Sequence, residues 1–282
     1  MTAMWQWLAA LAAIGGAGAA QMMSDVSSPR NDYNPSFDRT ERVRVFARSE
    51  ADFADAKIYI SERRRGRWSD PTPIRFSDPR YSDSDPWLTP DGSTLYFASD
   101  RPTAVRPDKK DLVLWRSRRD RSGIWSAPEH LGEAVNGAGP ELGPELHGGA
   151  LYFSAVRKAG KGGLDIYVSR EKGGIFGAPA LIEGPFNSAT SESDFTLSAD
   201  GRRAIFWRMV GDKGVLHAAS RTAAGWSEPA SLPDWVNIGP FNFTPAFARD
   251  GLSLRFASTR ARPGQAEGMA DIYVVKLGRM PN

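Results

Sequence analysis

Apolar residues recur along this chain in short runs of three to five, each closed by a turn, and five of these runs end on phenylalanine: Phe46, Phe97, Phe153, Phe206 and Phe256. The spacing of about fifty residues marks one structural unit repeated five times. Before each phenylalanine run stands a turn, Asp91-Gly92, Gly148-Gly149, Asp200-Gly201 or Asp250-Gly251, with Thr40-Glu41 in the first unit. Asp-Gly supplies the positive φ that a tight hairpin needs, so the runs on either side of it are predicted to pair as antiparallel strands. A third run follows, as in Ile58-Tyr59-Ile60, Leu114-Trp115-Arg116, Ile166-Tyr167-Val168, His217-Ala218-Ala219 and Ile272-Tyr273-Val274. The fourth is marked by an aromatic three residues before a proline: Trp68 and Pro71, Trp125 and Pro128, Phe176 and Pro179, Trp226 and Pro229. Proline is tolerated in a strand at a sheet edge, so this column is the outermost of four.

Four short antiparallel strands per unit describe a propeller blade. The chain is therefore predicted to be all-β, a five-bladed β-propeller with blades at about 32–79, 80–136, 137–187, 188–237 and 238–282. The fifth unit ends after its third strand. Closure requires an outer strand from the other end of the chain, and residues 24–30, with Val26-Ser27-Ser28-Pro29, have the spacing of the Trp-Ser-x-Pro column. Residues 21–282 form one domain on this reading. Residues 1–20 are set apart as an apolar, Ala- and Gly-rich run ending in Ala17-Gly18-Ala19, the small-x-small pattern of a secretory signal peptide. That run lacks Lys and Arg, which leaves an uncleaved anchor as the alternative. A periplasmic or secreted location is expected.

Composition narrows the chemistry. The chain has no cysteine, so disulfides, thiolate metal sites and a lipidated amino-terminal cysteine are excluded. No nucleophile elbow, phosphate-binding loop or zinc spacing occurs, and His130, His147 and His217 fall in different columns. No catalytic residue, metal ligand or cofactor is assigned, and despite a net charge of +3 nucleic acid is not an expected partner of a secreted chain.

The columns Asp-Gly-x-x-Leu-Tyr-Phe-x-Ser-Asp-Arg at 91–101, Asp-Ile-Tyr-Val-Ser at 165–169, Trp-Ser-x-Pro, and Leu-Gly-x-x-Val-Asn at 131–136 resemble the PD40 (WD40-like) repeats of TolB-like β-propellers. The resemblance runs from about Asp32 to Val275. It implies a cell-envelope protein engaged in protein–protein interaction or in binding peptides or glycans; no stable membrane span is expected, the amino-terminal apolar run being short for one.

In a propeller the innermost strands line the axis, and polar residues stand where these strands begin: Asp32 and Asn34, Asp83 and Asp85, Glu141, Glu192 and Asp194, Asn242 and Thr244. An acidic mouth is expected. Arg101, Arg157 and Arg260, each four residues past its phenylalanine, reach the same face, either to pair with these carboxylates or to join them in a ligand site. The candidate binding set is thus Asp83, Asp85, Glu141, Glu192, Asp194, Asn242, Arg101, Arg157 and Arg260. Loops 100–111 and 259–271 are the longest on this face and are expected to wall the site. On the opposite face Arg63 to Arg67 and Arg116 to Arg121 form a basic patch. The function expected is a non-catalytic binding or scaffolding module that recognises a protein, peptide or glycan at the propeller mouth. The alternative is a five-bladed glycoside hydrolase that uses axial carboxylates, Asp85, Glu141 and Glu192 being the set that could flank a glycosidic bond.

Overall fold

A computed structural model describes residues 19–108, 110–265 and 268–277. The apolar run and its Ala17-Gly18-Ala19 site therefore lie almost wholly outside the described residues. Among the described residues the structure is five antiparallel sheets, each traced from the axis outward, and the only helical element is a single 3-10 turn at Ala51–Phe53. The inner strands are Asn31–Phe37, Asp83–Leu88, Glu141–His147, Glu192–Leu197 and Asn242–Phe247. Each pairs with the phenylalanine strand, and each phenylalanine strand with the third strand.

The five column phenylalanines are almost wholly buried, each on the middle strand of its sheet between neighbouring blades. Each contributes about 1.5–3 kcal/mol relative to exposure. The third strand supplies a stacking ring in four blades: Phe46 on Tyr59, Phe153 on Tyr167, Phe206 on His217 and Phe256 on Tyr273. The outer strands are two-residue pieces. In blades one, three and four the proline column falls in the gap between two such pieces, for instance Pro71 between Arg67–Trp68 and Thr72–Pro73, where a missing N–H breaks no ladder. Past the end of the outer strand, asparagines clamp the third strands of blades two to four. Asn136 accepts from the Leu114 N–H and donates to the Leu114 carbonyl, and Asn187 does the same to Ile166 and Asn237 to Leu216.

The ring closes through the amino-terminal side of the domain, but not with the residues expected. Gln21–Met22 pairs with Val274 and Tyr273, and the Met23 N–H extends the pairing to the Ile272 carbonyl. Residues 25–29, expected as the strand, instead cross from blade five to blade one. Val26 is buried against Phe46 and Ile272, Ser27 bonds Asp271, and Asp25 pairs with the fully buried Arg44 at 2.6 Å. The Ser-x-Pro spelling misleads because the column also needs the aromatic that this segment lacks.

Candidate functional site

The axis is built by one unusual column. In each inner strand the fourth residue, or the third in blades two to five, has left-handed backbone: Asn34, Asp85, Gly143, Asp194 and Thr244, with φ between 47° and 58°. Each sits within a one-residue register shift against the phenylalanine strand, a β-bulge, and in four blades proline follows it. Left-handed backbone at a non-glycine residue costs about 1–2 kcal/mol, so the surroundings must hold it there. They do so by stapling each blade to the next.

A side chain of one inner strand accepts a backbone N–H of the following inner strand at every junction: Ser36 from Leu88 at 2.8 Å, Asp85 from Gly143 at 3.1 Å, Glu145 from Leu197 at 3.0 Å, Asp194 from Thr244 at 3.1 Å, and Thr244 from Asn34 at 3.2 Å. Gly143 is required here, because a Cβ would stand 2.7 Å from Asp194 Oδ1 and 3.3 Å from Asp194 Cα.

Above this ring, on the side where the inner strands begin, a funnel of about 290 Å³ opens. Its wall is apolar, with Phe53, Leu112, Leu142, Trp207, Phe241 and Phe243, and Asp85 and Asp194 lie among its polar lining. The 3-10 turn of blade one delivers Phe53, which meets Tyr33 and Phe243 edge-on at 5.3 and 5.5 Å. The mouth is thus greasy rather than acidic, with its two carboxylates held deep at the ring.

Both carboxylates are met only by neutral donors. Asp85 accepts from Ser84 and the Gly143 N–H; Asp194 accepts from the Trp207 indole at 2.8 Å, the Thr244 N–H and, weakly, Ser193. Among the described residues no lysine, arginine or histidine forms an ion pair with either. Burial pushes the Asp194 carboxyl up to about 7, the nearby Asp85 charge adding to it, and burial likewise raises Asp85.

The remaining expected site residues sit elsewhere. Asp83 pairs with Arg101, Glu141 with Arg157 at 2.9 Å and Glu192 with Arg208 at 2.8 Å, and Asp32 pairs with Arg48 at 2.7 Å in the same column. These acids are fully buried and their arginines lie over the column phenylalanines. In blade five the column holds Asn242, and Arg260 turns to the Val236 carbonyl and Ser258 while covering Phe256 and Tyr273. In blades one to four the pairs tie the start of the inner strand to the end of the second strand or the loop just past it, and none of their acids or arginines lines the funnel. Sequence reasoning overlooked Arg48 and Arg208, two residues past the phenylalanine instead of four, and it overlooked the aromatic wall. Phe53 carried a signal, as a large apolar residue alone in the polar stretch Ser49 to Asp55.

One further expectation is corrected and another is qualified. The described residues of loops 100–111 and 259–271 fold onto the ring, Arg106 on Glu133 of its own blade and the Gly137 carbonyl of the next, Arg262 on Asp271 of its own blade and the Ser28 carbonyl, and none lines the funnel. The basic patch of the far face is partly neutralised, since Glu62 pairs with Arg64 and Arg119 and Glu129 with Arg116 and Arg118.

Beneath the ring the axis narrows to a waist bordered by Pro35, Pro86, Pro144 and Pro245, with Glu145 and Trp87 at its lower side. Burial raises Glu145 to about 7. Of the hydrolase set Asp85, Glu141 and Glu192, only Asp85 faces the axis; the carboxylates that do converge there are Asp85, Asp194 and Glu145.

No family profile and no curated protein matches the sequence. Similarity to solved structures is extensive in shape and low in sequence. A BT0996 RGII complex is matched with a TM-score of 0.62 at 9% identity over 98% of this protein and 96% of that one. A thermostable family-43 glycoside hydrolase is matched with a TM-score of 0.61 at 10% identity over 90% and 91%, and a TolB-like protein from Agrobacterium tumefaciens with 0.54 at 12% over 93% and 86%. At such identities the likeness establishes the five-bladed β-propeller fold, to which this protein belongs.

Proposed function

We propose that the protein is a non-catalytic binding module of the cell envelope, of the TolB-like PD40 kind, periplasmic or secreted, whose axial funnel receives a cationic side chain of a protein or peptide partner. One observation carries this reading: two buried carboxylates without a cation sit at the base of an apolar-walled funnel open to solvent. Apolar walls strengthen the field of the charges they enclose, and an incoming ammonium or guanidinium would both neutralise the pair and lay its aliphatic stem on Phe53, Phe241 and Phe243. Asp85 and Asp194 alone meet the peptide, the acids at the start of the inner strands being paired with arginine. A photoreactive residue in place of Phe53, activated in intact cells, should capture a protein partner; the adduct should be competed by Lys-containing peptides and lost in the double variant Asp85→Asn, Asp194→Asn. Capture unaffected by both would refute it.

Glycoside hydrolysis is kept as a second reading because Asp194 and Glu145 are held near neutral pH, as a general acid requires, and because the neighbours include family-43 hydrolases. Against it, Asp85, Asp194 and Glu145 each accept the N–H that joins two blades. Turnover of any glycan, abolished by Asp194→Asn in a folded protein, would favour the hydrolase over the module.

A further inference from the structure

The other end of the axis opens into a second cavity, of about 470 Å³, on the side of the Asp-Gly hairpins. That volume falls within the roughly 300–1,000 Å³ typical of small-molecule sites. Its cations are Arg39 and Arg249, from the hairpins of blades one and five, and Arg255, which lies 3.9 Å over the Phe37 ring and pairs with Glu41 at 2.8 Å. Neither Arg39 nor Arg249 has an ion-pair partner among the described residues; Arg249 donates to the Phe37 carbonyl at 2.8 Å and thereby bridges blades five and one.

The hairpin acids offset this charge only in part: Glu41 pairs with Arg255, and Asp38 and Glu41 lie close enough to Arg249 to favour its charged form. Asp38 accepts the N–H groups of Arg42 and Val43, Asp91 that of Ser93, Asp200 that of Arg202, and Asp250 those of Leu252 and Ser253. None of the four lines the cavity, whose one carboxylate is Glu145, raised by burial. The remaining wall mixes hydrogen-bonding groups, His147 and Thr196, with the aromatic surfaces of Trp87 and Phe247.

We propose that this cavity is a second binding site, for a carboxylate-bearing, hydroxylated molecule of sugar size. The guanidinium fork matches a carboxylate in a bidentate way. The half-buried Trp87 offers a flat surface to a ring, and His147, Thr196 and Glu145 offer partners for hydroxyls. Glu145 at the inner end disfavours a dianion, which selects carboxylate over phosphate. The site is chemically opposite to the funnel and stands whether or not the funnel reading holds.

Calorimetric titration of the intact protein with D-glucuronate, glucose, glucose 6-phosphate and inorganic phosphate tests it. Glucuronate is expected to bind and glucose not to. Arg39→Ala should weaken glucuronate by about tenfold, the loss of one charge-assisted contact. Arg249→Ala should weaken it further, but that variant also removes a bridge between blades. Arg39, whose side chain makes no hydrogen bond or ion pair among the described residues, therefore provides the decisive variant. The assignment is overturned if glucose binds as well as glucuronate, if glucose 6-phosphate or inorganic phosphate binds more tightly, if Arg39→Ala has no effect, or if no probe binds at millimolar concentration.

Discussion

Two carboxylate columns separated by only one residue behave oppositely in this propeller. Asp83, Glu141 and Glu192 are buried and paired with arginine, whereas Asp85 and Asp194, two positions further on, are held at the axis by neutral donors. In a regular strand residues two apart share a face, so period-two alternation would treat both columns alike. The bulge and its left-handed residue separate them, re-aiming the second column toward the axis. One column consolidates each blade. The other joins blade to blade and leaves uncompensated negative charge beside a cavity.

The largest test of this contrast removes a cation from the first column. Arg101→Met would strand the buried Asp83 carboxylate, and breaking such a pair costs about 3–5 kcal/mol in urea unfolding. Asp85→Asn, which keeps an oxygen for the Gly143 N–H, should cost less than about 1 kcal/mol or stabilise, by roughly the net value of one hydrogen bond. Equal losses at the two positions would erase the distinction drawn between the columns.

Next in size is Gly143→Ala. The added methyl both forces alanine into the left-handed region, about 1–2 kcal/mol, and meets Asp194 at its carboxylate and its backbone, so the total loss should exceed the strain alone. A melting temperature within experimental error of the parent would show that the ring is looser than its hydrogen bonds indicate.

A smaller effect separates the columns by pH. Asp194 ionises at about 7 in the folded protein against an ordinary value of 3.8, so between those values the folded state binds more protons than the unfolded. Stability contributed at this site therefore falls as pH rises from about 4 to about 7 and is level above that. Asp194→Asn removes this dependence: relative to the parent, the variant should gain stability between about pH 5 and pH 8 in paired urea titrations. A constant difference between the two pH values would show that Asp194 is not raised.

The smallest expected change is Arg64→Ala on the far face. Its pair with Glu62 is exposed, and its loss should stay within about 0.5 kcal/mol because water screens such contacts. A loss as large as that at Arg101 would mean that burial is not what distinguishes the arginines of this protein.

Legibility in the sequence divided along the same physical line. The phenylalanine, Asp-Gly and proline columns are local patterns, set by hairpin sterics and side-chain alternation, and they placed the strands, the five blades and the outer edge. The pairing of Asp83 with Arg101 and Glu141 with Arg157 was within reach for the same reason, since each arginine follows the strand that pairs with its acid's strand in the same blade. Arg48 and Arg208 escaped because the arginine can approach its acid either from the second strand, as these two do, or from the loop just past it, as Arg101 and Arg157 do, and a fixed offset from the phenylalanine finds only one of them.

The amino-acid sequence by itself thus determined the repeat, the sheet order within each blade and the residue types at the axis. Tertiary structure decided which strand closes the ring, where Gln21–Met22 prevailed over a better-spelled segment because Val26 is buried in the crossing to blade one. It also decided which carboxylates face the axis, through a backbone conformation that Asp and Asn tolerate but do not announce. The two cavities belong to the tertiary structure alone. Each is lined by residues from units far apart in the sequence, Phe53 beside Phe243 above and Arg39 beside Arg249 below, and only closure of the ring brings them together.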